Sequence, residues 1–139
     1  MTISIPQLVG STEKALNVIL EQILDGTGLT ERHWVTLRLA GQNAPDGDLP
    51  ALVSERAHFG DSAALVAELG DRGLIAGNTL SPAGRELTDR LQGVINARTA
   101  PLWAGLAPED VEATARVLTA VADRARAQIA IGQADEASR

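Results

Sequence analysis

The sequence predicts a mostly α protein of one domain with a single small β-hairpin. Three observations carry this. Apolar residues recur at spacings of three and four along most of the 139 residues. Hydrophobic residues make up 45% of the chain but aromatics only 2%, so the core must be built from Leu, Ile, Val and Ala, which suits packed helices. One pair, Gly77-Asn78, sits between two short apolar runs, the pattern of a tight primed turn.

The elements follow in order. After a polar lead ending at Pro6, residues Leu8, Leu16, Ile19, Leu20, Ile23 and Leu24 predict a first helix that Gly26 and Gly28 end. Thr30 is a good N-cap for a second, Glu31 to about Ala40, with Trp34 and Leu37 inward. Residues 41–48, rich in Gly, Pro and Asp, read as a loop. Leu49 to about His58 is a short third helix with Leu49, Leu52 and Val53 apolar, and Gly60 breaks it. Asp61 or Ser62 caps a fourth helix that buries Leu65, Val66 and Leu69. The hairpin spans about 73–80, and Ser81-Pro82 starts a fifth helix with Ser81 as cap. That helix carries Leu87, Leu91, Val94, Ile95 and Leu102 and bends or ends between Pro101 and Gly105. A last helix begins near Pro108, where Glu109 and Asp110 suit a helix N-terminus. Its stripe is Val111, Ala115, Leu118, Val121, Ala122, Ala125 and Ile129, and residues 132–139 are expected to fray.

Composition narrows the function classes. There is no cysteine, which removes disulfides, thiolate zinc sites and thiol redox sensing. No stretch approaches the ~20 apolar residues of a membrane span, and the N-terminus lacks a signal-peptide pattern, so the expected location is cytoplasmic. The net charge of −6 argues against non-specific nucleic-acid binding. No Gly-Lys-Ser/Thr phosphate loop and no nucleophile elbow occur, so the chain is read as no enzyme, and no cofactor is expected.

The segments Leu29-Thr30-Glu31-Arg32-His33-Trp34-Val35-Thr36-Leu37, Leu69-Gly70-Asp71-Arg72-Gly73-Leu74-Ile75 and Leu80-Ser81-Pro82-Ala83-Gly84-Arg85 carry a resemblance. With the turn Gly105-Leu106-Ala107-Pro108-Glu109-Asp110, and in this order, they resemble the MarR family of transcriptional regulators over roughly residues 8–131. The resemblance implies a winged helix-turn-helix with a small hairpin, flanked by terminal dimerisation helices. In this chain the winged unit would be about 29–84 and the dimerisation helices about 7–26 and 82–131, within one domain, 1–139. Helix four would be the recognition helix in the major groove and the hairpin the wing.

The DNA-contacting positions depart from that pattern. The exposed side of helix four reads Asp61, Ala63, Ala64, Ala67 and Glu68 where the family is usually basic. The wing shrinks to Ala76-Gly77-Asn78-Thr79, without charge. Between Asp46 and Asp71 stand six acids and one arginine, Arg56. Candidate DNA contacts are Arg56, Ser62, Ala63, Ala64, Arg72, Asn78, Thr79 and Arg85, with Arg56, Arg72 and Arg85 expected to gather at the base of the wing.

Two histidines and one arginine have two readings each. His33 and Trp34 are read as core packing at a boundary, with a small-molecule pocket as the alternative that the resemblance implies. Arg98, followed by Trp103, is read as an interface ion pair, or else as the cation of that same pocket. His58 suits the C-terminus of helix three better than a metal site. The stripes Leu16, Ile19, Leu20, Ile23 and Leu118, Val121, Ala125, Ile129 are too long to be covered within one winged unit, so the expected partner is a second copy of the chain. Two functions follow: a dimeric MarR-type regulator that binds DNA and responds to a ligand, or a degenerate relative with weak or no DNA binding that acts through ligand or protein contacts.

Overall fold

The computed structural model describes residues 4–138. The elements run α1 (Ile5–Leu24), α2 (Glu31–Gln42), α3 (Leu49–Ala57), α4 (Ser62–Asp71), β1 (Ile75–Ala76), β2 (Thr79–Leu80), α5 (Pro82–Trp103) and α6 (Pro108–Ala137). Contacts divide the chain into two units, residues 1–98 and 99–139.

The first unit is a helix-turn-helix with a hairpin. Gly26 and Gly28, at φ +82° and +77°, carry the chain out of α1 through conformations that residues with a Cβ rarely adopt. Thr30 caps α2 and Asp48 caps α3, each side chain accepting a backbone N–H of the first turn. α3 ends on His58, whose left-handed backbone (φ +59°) lets its amide donate to the Ser54 carbonyl at 3.0 Å. Leu37, Leu49, Val53 and Leu69 are fully buried, one or two from each of α2, α3 and α4. Each stabilises the unit by about 1.5–3 kcal/mol. Ile75, Leu80 and Leu91 close the core from the hairpin and α5.

The hairpin is as short as the Gly-Asn pair predicts. Ile75 pairs with Leu80 and Ala76 with Thr79, leaving Gly77 and Asn78 as the loop. Gly77 has φ +66°, whereas among the described residues His58 is the only non-glycine with positive φ. A positive φ at the first loop position alone is the type II′ turn, which matches strand twist. Ser81 then caps α5: its Oγ accepts the Gly84 amide at 3.0 Å and its hydroxyl donates to the Gly73 carbonyl at 2.6 Å.

The second unit holds the end of α5, a turn through Gly105 (φ +79°) and α6. The fraying expected from Gly132 is corrected, since α6 continues to Ala137. One internal glycine costs about 1 kcal/mol, and the alanines and other strong helix formers around it outweigh that. No α6 residue is buried in the single chain. Leu118, Val121 and Ile129 are exposed, Val121 to 53%. No described helix is long and apolar enough to cross a membrane.

Candidate nucleic-acid interface

The candidate interface implied by the resemblance is α4 with the α3–α4 turn and the hairpin. Leu65 and Leu69 hold α4 to the core. The opposite side exposes Ala63, Ala64, Ala67, Glu68 and Asp71. Ser62 is buried at the first position of the helix, away from that exposed set.

Its charges are largely engaged inside the molecule. The Arg32 guanidinium on α2 pairs with Asp61 just before α4, and lies 4.6 Å from the centre of the Phe59 ring. Asp61 therefore serves as an ion-pair partner, with no side-chain cap bond to α4. Arg72 donates through Nη2 to Glu68 Oε1 at 2.7 Å and through Nη1 to the Gly28 carbonyl at 2.9 Å. It thus joins α4 to the turn before α2. The guanidinium groups of Arg56 and Arg85 are exposed and make no hydrogen bond among the described residues.

His33 completes this network. It stands at the third position of α2 in a capping box, where its Nδ1 accepts the Thr30 amide at 2.9 Å. That bond places the ring hydrogen on Nε2, which donates to Glu68 Oε2 at 3.1 Å. The hydrogen bond from His33, assisted by Arg72, holds the Glu68 carboxyl below the usual glutamate range, and partial desolvation only offsets this. One carboxylate thereby ties α4 to the first turn of α2. His33 and Trp34 are both buried, Trp34 to 3% exposure within the main core cluster. Arg98 donates to Gln22 Oε1 on α1 at 2.6 Å.

The hairpin tip is likewise engaged. The Asn78 carbonyl accepts from Asn43 Nδ2 at 2.9 Å, and Asn78 Oδ1 accepts the Leu49 amide at 3.1 Å. Thr79 is half-buried, and its hydroxyl turns back to the Ala76 carbonyl. Of the α1 stripe, Leu16, Ile19, Leu20 and Ile23 are half-buried, while Ile5, Leu8, Val9 and Val18 are exposed. Sequence reasoning missed Arg32, Asn43 and the role of Glu68. Their partners lie 29 to 35 residues away, and no spacing rule reaches that far.

No protein-family model matches the sequence, and no curated protein matches it. Solved structures do. A MarR-family transcriptional regulator from Rhodococcus sp. RHA1 superposes with a TM-score of 0.73 at 21% identity, covering 85% of this chain and 93% of that one. CouR from Rhodococcus jostii RHA1, bound to p-coumaroyl-CoA, gives 0.73 at 22% identity over 86% and 92%. A Mycobacterium tuberculosis MarR-family protein in complex with DNA gives 0.68 at 24% identity over 86% and 98%. The chain has the MarR-family winged-helix fold.

Proposed function

We propose that this chain is a MarR-type transcriptional regulator that acts as a homodimer, sets α4 in the major groove of DNA and responds to a small ligand. The observation that supports DNA binding best is the likeness, over 86% of the chain, to a relative solved on DNA, together with an α4 face left open to solvent. The exposed apolar residues of α6 support the homodimer, because a stripe of that length is normally covered by a partner. Neighbours of the same fold solved with salicylic acid and with p-coumaroyl-CoA support the ligand response, and the ligand class we assign is an aromatic acid or its thioester.

Binding is proposed to be selective but weak on arbitrary sequence. Cations neutralising phosphates supply essentially all non-specific affinity. Arg32 and Arg72 are held by Asp61 and Glu68, which leaves Arg56 and Arg85 as the exposed cations nominated for this role. Selection from a random duplex pool with the full chain tests the reading. Enrichment of one sequence supports it. Recovery of no preferred sequence would leave the degenerate relative, acting through ligand or protein contacts, as the better account.

A further inference from the structure

The hairpin of a winged helix is usually an arm, and here the residues at its tip are spent elsewhere. Between Gly73 and Ser81 the chain carries no charge. Each strand has two residues, which at about 3.4 Å per residue gives an arm of roughly 7 Å. The tip is drawn back onto the helix-turn-helix. Asn43 Nδ2 donates at 2.9 Å to the Asn78 carbonyl and at 3.1 Å to the Gly47 carbonyl. Asn78 Oδ1 accepts the amide of Leu49, one of the N–H groups that the first turn of α3 leaves without a helical partner. The Nδ2 group of Asn78, on the same carbon, is held beside that bond. Gly47 is part of the fit, because a Cβ there would stand 2.4 Å from Asn43 Oδ1.

We infer that the hairpin is a brace and not a DNA-reading arm. Asn43 and Asn78 fix it to the start of α3, so that α4 meets DNA from the major groove alone. This rests on the DNA-binding reading above and adds the groove and the positioning residues. A wing that enters the minor groove needs free amide or cationic side chains at its tip to meet base acceptors and phosphates. This tip offers a methyl, a glycine, a half-buried threonine and no cation, and the one amide it carries, Asn78, is fixed through both of its oxygens.

The test uses the full chain and a duplex enriched from a random pool. Inosine for guanine together with 3-deazaadenine for adenine, the inosine duplex, removes both the amino donor and the purine acceptor that the minor groove displays. Uracil for thymine and 7-deazapurines for purines remove groups that only the major groove displays. Minor-groove replacements within the footprint should change affinity by less than about twofold, and major-groove replacements should cost about tenfold or more. The variant Asn78→Ala, which leaves the Leu49 amide unpaired, should weaken binding equally on the native and the inosine duplex and speed hydrogen exchange at Leu49. Asn43→Ala should do the same. A large loss on the inosine duplex, or an Asn78→Ala effect that vanishes on it, shows that the tip reads the minor groove and overturns the brace. If either variant fails to fold, the base replacements with the unmodified chain still decide. If no duplex is enriched, the DNA-binding reading fails first and the brace fails with it.

Discussion

Gly84→Ala is expected to destabilise the protein out of proportion to one methyl group. Gly84 lies in the first turn of α5, where its backbone crosses the base of the hairpin. A Cβ at this position would stand 2.0 Å from the Leu74 carbonyl oxygen and 2.9 Å from its carbon. That oxygen has little freedom, since it accepts the Ser81 amide at 3.0 Å while the Leu74 amide donates to Leu69 at 3.0 Å. Making room requires roughly an ångström of backbone movement, which also strains the Ser81 cap on the Gly84 amide. Overpacking of this kind costs about 1–3 kcal/mol and a lost cap about 1 more, against roughly 0.5–1 gained from replacing a helical glycine. The net loss is about 1–3.5 kcal/mol, or about 3–17 °C in Tm for a chain of this size. Gly93→Ala is the control: it lies on the same helix with nothing within 4 Å of the added Cβ, and it should stabilise by roughly 0.5–1 kcal/mol. Thermal unfolding followed by circular dichroism reads both. Equal melting of Gly84→Ala and the unmodified chain would refute the close approach.

Three further outcomes are expected. Gly77→Val forces a β-branched residue to φ +66° and should cost about 1–3 kcal/mol, with hydrogen exchange quickening at the hairpin before α1 is affected. Because the folded-state Glu68 carboxyl titrates below the unfolded value of about 4.3, its contribution to stability is present above that pH and is lost as pH falls through the lower folded value. Denaturant midpoints measured across that acidic window should therefore fall less steeply for Glu68→Gln than for the unmodified chain. Leu118→Glu or Val121→Glu puts a charge into the proposed subunit interface, and light scattering at micromolar concentration should then report monomer or unfolded chain, where the unmodified protein is expected to be a dimer.

The legible parts of the fold were those set by local rules. Thr30 and Ser81 are oxygen-bearing side chains placed just before helices, and capping chemistry explains both. Gly77-Asn78 announced the hairpin because a two-residue loop demands positive φ. The end of α6 was not legible, because the penalty of Gly132 is smaller than the helix propensity of the alanines around it. At the candidate site, charge was legible and commitment was not. The acidic balance around α4 can be counted from the sequence, and Arg72 with Glu68 has the spacing of a helical pair, but the pairing of Arg32 with Asp61 and the bond of Arg72 to the Gly28 carbonyl depend on contacts across 29 and 44 residues. Arg72 and Asn78, nominated as DNA contacts, are drawn into internal hydrogen bonds, and although Glu68 lies one helical turn from Arg72, no periodicity encodes the bonds of Arg72 to the Gly28 carbonyl and of the Leu49 amide to Asn78. Glu68, read as an exposed recognition-face acid, proves to be the link from α4 to the capping box of α2.

Fluorescence anisotropy across a salt series counts the phosphates that this protein neutralises on DNA. It compares the enriched duplex with a random one between about 50 and 200 mM salt, where log affinity falls by about 0.9 per phosphate neutralised for each unit of log salt. With Arg32 and Arg72 engaged, the protein should show clear preference for the enriched duplex, weak binding to the random one and a shallow slope of a few contacts per proposed dimer. Tight binding to the random duplex with a steep slope would contradict it, because free cations would then have to meet the backbone where the structure pairs them with Asp61 and Glu68.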